Sequence, residues 1–293
     1  MKILLTNIGL NNFTGSEMWT YTMAKELSKI HDVSVFSFNH GRVSLYMGQF
    51  AKMVDVVTDD YDLAIVNHIE CLMKIPQGLF TIFTSHGVFG GHETAMPGAD
   101  KYVAVTEEVK GCIKFPSTVI HNGIDCDLFK PQEAVRRSPE NVLYLSNPVY
   151  ASGEKIVRTA CKGYNLIIIE KQRQSTKVYE LINQADIVIS FGRGALEGMA
   201  CGRNVISADY RGYYMTGLRG GGMVTQENFD DLARDNFTGR AGANIAFTAE
   251  TLRKEIAKYD PNRGEYLRNR ILQDFNIKKT AQQYLNLYRG SNV

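Results

Sequence analysis

The stretch SFGRGALEGMACGRNVISAD, residues 190–209, gathers four glycines around one acid. Gly192, Gly194, Gly198 and Gly202 flank Glu197, and Arg193 stands beside the first of them. ADIVISFG reads as a buried strand ending in a tight turn, and GALEGMACG as the helix that follows. The first-turn N–H groups of a helix lack internal partners and carry partial positive charge. Glycines let an anion approach such a backbone, so Gly192, Gly194, Ala195 and Leu196 form a candidate phosphate cradle. Glu197, about one turn in, is placed to accept two hydrogen bonds from a ribose diol. Arg193, beside the helix start, suits bidentate phosphate contacts. A second reading stays open: Gly198 and Gly202 as close-packing and C-cap residues, with Glu197 only a favourable helix-dipole charge.

Alternating strands and helices must position that segment. MKILLTNIG, DVSVFSF, YDLAIVNH, LFTIFTSH, KYVAVT and STVIHNG read as strands, and EMWTYTMAKELSKI as a helix. The pattern pauses at residues 127–141, DLFKPQEAVRRSPEN, which has two prolines and little apolar content and reads as a linker. It restarts with NVLYLSN, EKIVRTACKG, YNLIIIE, KVYELINQ, ADIVISFG, GALEGMAC and NVISAD. The expectation is an α/β chain of two Rossmann-like, doubly wound parallel-sheet domains, residues 1–133 and 134–293. Ligands then belong beyond the carboxyl ends of the strands, with the cleft between the domains as the default site. Residues 211–247 are glycine-rich and read as loops around one short helix. From Ala249 on the chain reads as helices packing back across the linker.

The 293 residues are 44% hydrophobic, enough for two cores. The formal net charge of +2 argues for neither nucleic acid nor a membrane surface. Residues 1–135 hold 10 Lys/Arg against 15 Asp/Glu, leaving 23 against 16 in the rest. A basic second half suits an anionic ligand, although most such charges are solvated surface. The acidic first half disfavours DNA or an anionic membrane as a broad docking surface, leaving a local patch around Lys110 and Lys114 open. The five cysteines are odd in number and none has CxxC spacing, which favours reduced thiols and a cytoplasmic location. The histidines show no metal-ligand spacing. The apolar start is too short for a signal peptide, and no run approaches a membrane span.

ALEGMACGRNVI resembles the donor-site segment of retaining glycosyltransferases of the GT-B fold, family 4-like, which reads close to LEAMACGxPVI. TGSEMWTYTMAKELSKIHDVSVFS resembles that family's opening glycine loop, first helix and following strand. STVIHNGIDCDLFKP resembles its VIxNGVDxxxFxP segment, and ILQDFNIKKTAQQYLNLY its C-terminal helices. The resemblance covers nearly the whole chain. It implies transfer of a sugar from a nucleotide diphosphate sugar to an acceptor hydroxyl, with retained configuration, no metal and no other cofactor. A UDP-sugar is the favoured donor and a GDP-sugar the alternative. Glu197 matches the second glutamate of the family's E-x7-E pattern, which holds the donor ribose. Gly15 matches the glycine that lets diphosphate and acceptor approach, and His86 the histidine near the transferred sugar; these two are the catalytic candidates. Lys155 matches the lysine of the R-x4-K phosphate clamp. Ser16 and Glu17 are acceptor-side candidates, with capping of the helix the alternative for both and the favoured role for Ser16. Asn122 and Gly123 shape the turn before the linker.

Two positions depart from the family. Ile189 stands where the first acid of E-x7-E belongs, and Ser146-Asn147 where the clamp arginine belongs. They motivate an alternative, a degenerate module that binds a nucleotide sugar or a protein without catalysis. An epimerase would need a pair of acid/base carboxylates that the sequence does not nominate, and a phosphorylase would be much longer. GLNNFTGSE after the first strand is not the GxGxxG of a nicotinamide enzyme. The implied acceptors are a glycan, a lipid-linked glycan or a small molecule, the last two leaving peripheral contact with the inner membrane face and a modified nucleobase open.

Overall fold

Strands covered by helices on both faces read as continuous apolar runs, and the first strand, β1 (Lys2–Leu10), is buried over most of its length. The computed structural model describes residues 1–145, 151–169, 177–210 and 217–290, with the backbone alone at 151 and 152. The chain divides into two units, Met1–Asp125 with Phe275–Val293, and Cys126–Asp274.

In the first unit β1 is followed by α1 (Gly15–Leu27), β2 (Asp32–His40), α2 (Arg42–Met47), β3 (Lys52–Val54) and β4 (Leu63–Asn67). Then come α3 (Ile69–Leu72), β5 (Thr81–Ser85), a 3₁₀ turn at Gly91–Glu93, β6 (Lys101–Ala104), α4 (Glu107–Lys110) and β7 (Ser117–Val119). The seven strands are all parallel, in the order β3-β2-β1-β4-β5-β6-β7.

The second unit contains β8 (Asn141–Leu145), α5 (Ala151–Ala160), β9 (Asn165–Ile169), α6 (Val178–Gln184), β10 (Ile187–Ser190), α7 (Gly192–Ala200) and β11 (Asn204–Asp209). It continues with β12 (Arg219–Met223), α8 (Phe229–Ala233), β13 (Ile245–Ala246), α9 (Ala249–Ile256) and α10 (Arg263–Asp274). Its sheet runs β13-β12-β11-β10-β8-β9. The four central and edge strands β9, β8, β10 and β11 are parallel, whereas β12 and β13 are antiparallel. Two strands therefore come out of a glycine-rich region that reads as loop. No helix among the described residues is long and apolar enough to cross a membrane.

The last helix, α11 (Ile277–Arg289), belongs to the first unit. Ile124 N donates to Phe275 O at 2.7 Å, and Ile277 N to Ile124 O at 3.0 Å, so a short parallel bridge returns the chain to that unit. Gly123 permits the approach, since a Cβ there would lie 2.7 Å from Ile277 Cα. Tyr284 on α11 is fully buried, stacks edge-on to Trp19 and shares a hydrogen bond with Thr84.

The division falls at 125/126 rather than at 133/134, because residues 126–141 are fastened to the second unit by buried polar groups. Asp186 accepts from the backbone N–H groups of Arg136, Glu140 and Asn141 at 2.9–3.1 Å. Buried Arg203 donates to the carbonyls of Glu133 and Ala185 and to Asn183. Arg268 donates to the carbonyls of Phe129 and Ala200. Burial acts to raise the Asp186 pKa, but the three N–H groups and Arg136 outweigh it and hold the carboxyl below its usual range. A carboxylate with a depressed folded pKa adds stability above its unfolded pKa and loses it as pH falls through the folded value. Asp186→Ala should therefore cost about 3 kcal/mol at pH 7 by urea denaturation, the N–H groups being left without a partner. The gap to the natural protein should begin to narrow below roughly pH 4 and go on narrowing as pH falls through the folded pKa; a gap independent of pH would sink this account.

Candidate functional site

In each sheet the strand order reverses once beside the unit's first strand. It does so between β8 and β10 in the second unit and between β1 and β4 in the first. The crevice at the carboxyl ends there is where open α/β sheets take ligands.

Helix α7 starts at the second unit's reversal. Gly192 has φ of +54°, a backbone that glycine alone adopts cheaply, and its N–H donates to Asn236 O at 2.9 Å. Asn236 and Phe237 are themselves held at positive φ, 59° and 58°. Asp235 fixes this strained turn by accepting from Thr238 N, Gly239 N and Ala241 N. Protein thus takes one of the first-turn donors, and the bracing turn is a component that sequence reading missed. A Cβ on Gly194 would collide with Ser190 Oγ, and one on Gly198 would lie 3.0 Å from Val205 Cγ2 and 3.2 Å from Val188 Cβ. Gly202, at φ of +70°, ends the helix against Pro131. Close packing and C-capping are therefore real roles of Gly194, Gly198 and Gly202. Ala195 and Leu196 are wholly buried.

Arg193 does not stand alone at the helix start. Its Nε lies 2.7 Å from Glu197 Oε1, one turn along, and the two side chains are only 11% and 9% exposed. Burial pushes the Glu197 pKa up, and the guanidinium pulls it back. Lys155 lies exposed on α5, the helix after β8, at the same edge of the sheet. Ser146 and Asn147 lie outside the described residues. Ile189 is wholly buried in the apolar core, in register with Tyr144 and Ile206. An acid at that position would have no water and no partner, so the place of the first glutamate is a core position here.

In the first unit the loop after β1 leads into α1. Thr14 is the N-cap residue and Glu17 completes a capping box. The Glu17 carboxylate also accepts from Asn11 N and Asn12 N, both at 3.0 Å, and from Thr14 Oγ1. Capping thus falls to Thr14 and Glu17 rather than Ser16, and of the two roles open to Glu17, acceptor contact and capping, its carboxylate takes the second and shapes its own loop. Gly15 is different. It is exposed, and a Cβ on it would meet nothing within 4 Å, so packing does not demand a glycine there.

His86 follows β5. Its Nε2 lies 2.9 Å from Asn67 Oδ1, its N–H donates to Glu93 Oε2 at 2.6 Å, and its ring stands edge-on to Trp19. Asn67 spends its Nδ2 on Thr6 O and Thr20 Oγ1, which leaves Oδ1 as the acceptor and puts the proton on His86 Nε2. Desolvation and the neighbouring His68 push the His86 pKa down to about 3, against a smaller opposing pull from Asn122. The imidazole is therefore neutral at physiological pH, with Nδ1 as its lone-pair nitrogen. Beside it His68, at φ of +71°, accepts from Ile8 N through Nδ1. Its pKa is lowered to about 4, chiefly by burial. Asn67, His68 and Glu93 were missed in the sequence; the only signal was polar residues closing the run LAIVNH. Among the described residues no cluster of His, Cys, Asp or Glu is placed to hold a metal ion.

No protein-family model matches the chain, and no curated protein matches it in sequence. Solved structures match it in shape. Alr3699/HepE of Anabaena, in complex with UDP and glucose, is 15% identical, with a TM-score of 0.70 over 98% of this chain and 99% of its own. AviGT4, a glycosyltransferase involved in avilamycin A biosynthesis, is 14% identical, with a TM-score of 0.61 over 98% and 97%. WaaG, a glycosyltransferase involved in lipopolysaccharide biosynthesis, is 13% identical, with a TM-score of 0.61 over 98% and 100%. The fold is that of the GT-B glycosyltransferases.

Arg193→Gln would leave a buried carboxylate unpaired and raise the Glu197 pKa further. A carboxyl with a raised folded pKa favours the fold at acid pH and loses that advantage as pH climbs through the folded value. Arg193→Gln should thus stay close to the natural protein at pH 4 and fall behind by about 3 kcal/mol at pH 8 in urea. Adding Glu197→Gln should recover most of the loss. An equal deficit at both pH values would mean that the pair carries no charge.

Proposed function

We propose that the chain is a glycosyltransferase that moves a sugar from a nucleoside diphosphate sugar, a UDP-sugar first, to an acceptor hydroxyl. The observation that carries this reading is the dry Arg193–Glu197 pair on α7, at the strand-order reversal of the second unit. The Arg193 guanidinium opposes the rise that burial gives the Glu197 pKa, and the Glu197 carboxyl oxygens accept from the hydroxyls of a ribose. The diphosphate takes the remaining N–H groups of the first turn of α7, with Lys155 supplying charge from the neighbouring helix. HepE is a protein of this fold whose solved complex contains UDP-glucose. The glycosidic bond to the diphosphate breaks with its electron pair leaving on phosphate oxygen, and the acceptor oxygen bonds to the sugar carbon. We propose retained configuration and no metal.

The first unit supplies the acceptor side. Open space at Gly15 lets substrate approach the start of α1. Neutral His86 is no general acid at neutral pH; through Nδ1 it accepts from a hydroxyl of the transferred sugar. The five free cysteines, four of them buried, fit a cytoplasmic enzyme. A lipid-linked acceptor would bring it to the inner membrane face. The second reading, a non-catalytic nucleotide-sugar-binding module, is favoured by Ile189 in the core.

UDP-glucose at 100 times its dissociation constant should stabilise the protein by about 2.7 kcal/mol in thermal unfolding. Glu197→Gln should abolish that shift. Gly15→Val should fold as well as the natural chain and keep donor binding, yet lose at least about 90% of turnover, a barrier increase of roughly 1.4 kcal/mol. The turnover is followed as UDP released from UDP-glucose. Stabilisation by no nucleotide or nucleotide sugar would reject the proposal, and binding without turnover or hydrolysis would favour the second reading.

A further inference from the structure

We infer that the first unit carries a pocket for a small aromatic acid, and that this molecule is the sugar acceptor; the acceptor role rests on the function proposed above. A cavity of about 470 Å³ opens at the carboxyl ends of β2 and β3. Phe36, Phe38, Val56 and Val57 supply its apolar lining. The Phe36 and Phe38 rings meet edge to face at 5.1 Å. Phe36 is anchored in the core, while Phe38 is 42% and Val56 71% exposed. Apolar side chains left open around a concavity of this size mark a small-molecule site better than they mark ordinary surface.

The polar groups narrow the choice of ligand. Asp55 is turned to His40, with Nε2 and Oδ1 3.2 Å apart. The Lys74 ammonium stands 6.0 Å from the centre of the Phe38 ring and pairs with no carboxylate among the described residues. A flat ring fits between Phe38 and the valines, and an anionic substituent fits Lys74. A glycan would leave most of its hydroxyls facing Phe and Val side chains without partners, at a cost for each.

The pocket is also in place to feed the candidate centre. β2 pairs with β1, and β1 with β4, so its floor lies two strand spacings, roughly 10 Å, from the strand that ends at Asn67 and His68. Asn39, at the end of β2, donates to Ile8 O, and Ile8 N donates to His68. Helix α3 runs between His68 and Lys74. An acceptor of two fused rings, with its acid at Lys74, can point a hydroxyl from the far ring toward His68 and His86. In the transfer its oxygen bonds to the sugar carbon as the carbon–diphosphate bond breaks, and its proton ends on the released diphosphate.

The test is a fluorescence titration of the full chain with 6-hydroxy-2-naphthoate, run beside the UDP-glucose thermal shift. Naphthoate should bind saturably, and Phe38→Ser, Val56→Asp and Lys74→Gln should each weaken it about tenfold, or 1.4 kcal/mol. 2-Naphthol, which lacks the acid, should bind less tightly and be indifferent to Lys74→Gln. The UDP-glucose shift should survive all three substitutions, and naphthoate should become glucosylated on its hydroxyl. No saturable binding, or binding unmoved by Phe38→Ser and Val56→Asp, overturns the pocket. Equal affinity for naphthol overturns the role of Lys74. Binding that behaves as expected with no glucosylation, while UDP-glucose still binds, overturns the acceptor role. Loss of the UDP-glucose shift already in the natural chain strikes the donor reading instead and leaves an aromatic-acid site.

Discussion

Helix α7 lies closer to its sheet than side chains would allow. Gly194 rests on Ser190 and Gly198 on Val188 and Val205. That proximity drives the rest of the second unit's site. It sinks Glu197 into the protein, where a lone carboxylate would be costly, and so makes a cationic partner at i−4 necessary. It also brings the start of the helix against the turn at Asn236 and Phe237, whose strained backbone is held by Asp235. A side chain at either glycine would push the helix outward and hydrate the pair.

The two units share a plan and differ in chemistry. Each reverses its strand order beside its first strand and gathers polar residues at that edge. In the second unit these are an acid and a base sealed together. In the first, amides, hydroxyls and a neutral imidazole are joined from Asn7 through Thr20 and Asn67 to His86, with His68 and the Glu93 carboxyl beside them. This fits the division of labour proposed for the chain.

Much of the architecture was legible because buried parallel strands leave uninterrupted apolar runs, and ten of the strands sit where such runs occur. What stayed hidden has physical reasons. β12 is RGGGM, and its glycines look like a loop, yet each is imposed by a close neighbour: Ser207 and Ala208 at Gly220, Leu232 at Gly221, Glu255 at Gly222. β3 and β13 are too short to show a period. The segment after Cys126 looks like a free linker because its partners, Asp186, Asn183 and Arg203, are far away in sequence. Arg193 and Glu197 stand at the spacing of a helical ion pair, a signal present in the sequence beside the ligand contact that each residue type also suggests. For Glu17 the sequence leaves two roles open, an acceptor contact and helix capping, and its loop uses the second.

The return of α11 to the first unit sets an order of events during synthesis. The second unit leaves the ribosome complete, with both ends of its chain made, while the first still lacks the helix that covers Trp19. Trp19 is the ring against which His86 stands, and Tyr284, the residue that closes over Trp19, is made after the whole of the second unit. Domains generally fold as units when their segments are available. The second unit is thus able to mature first, and His86 of the first unit is locked into place only after the chain has passed through all of the second.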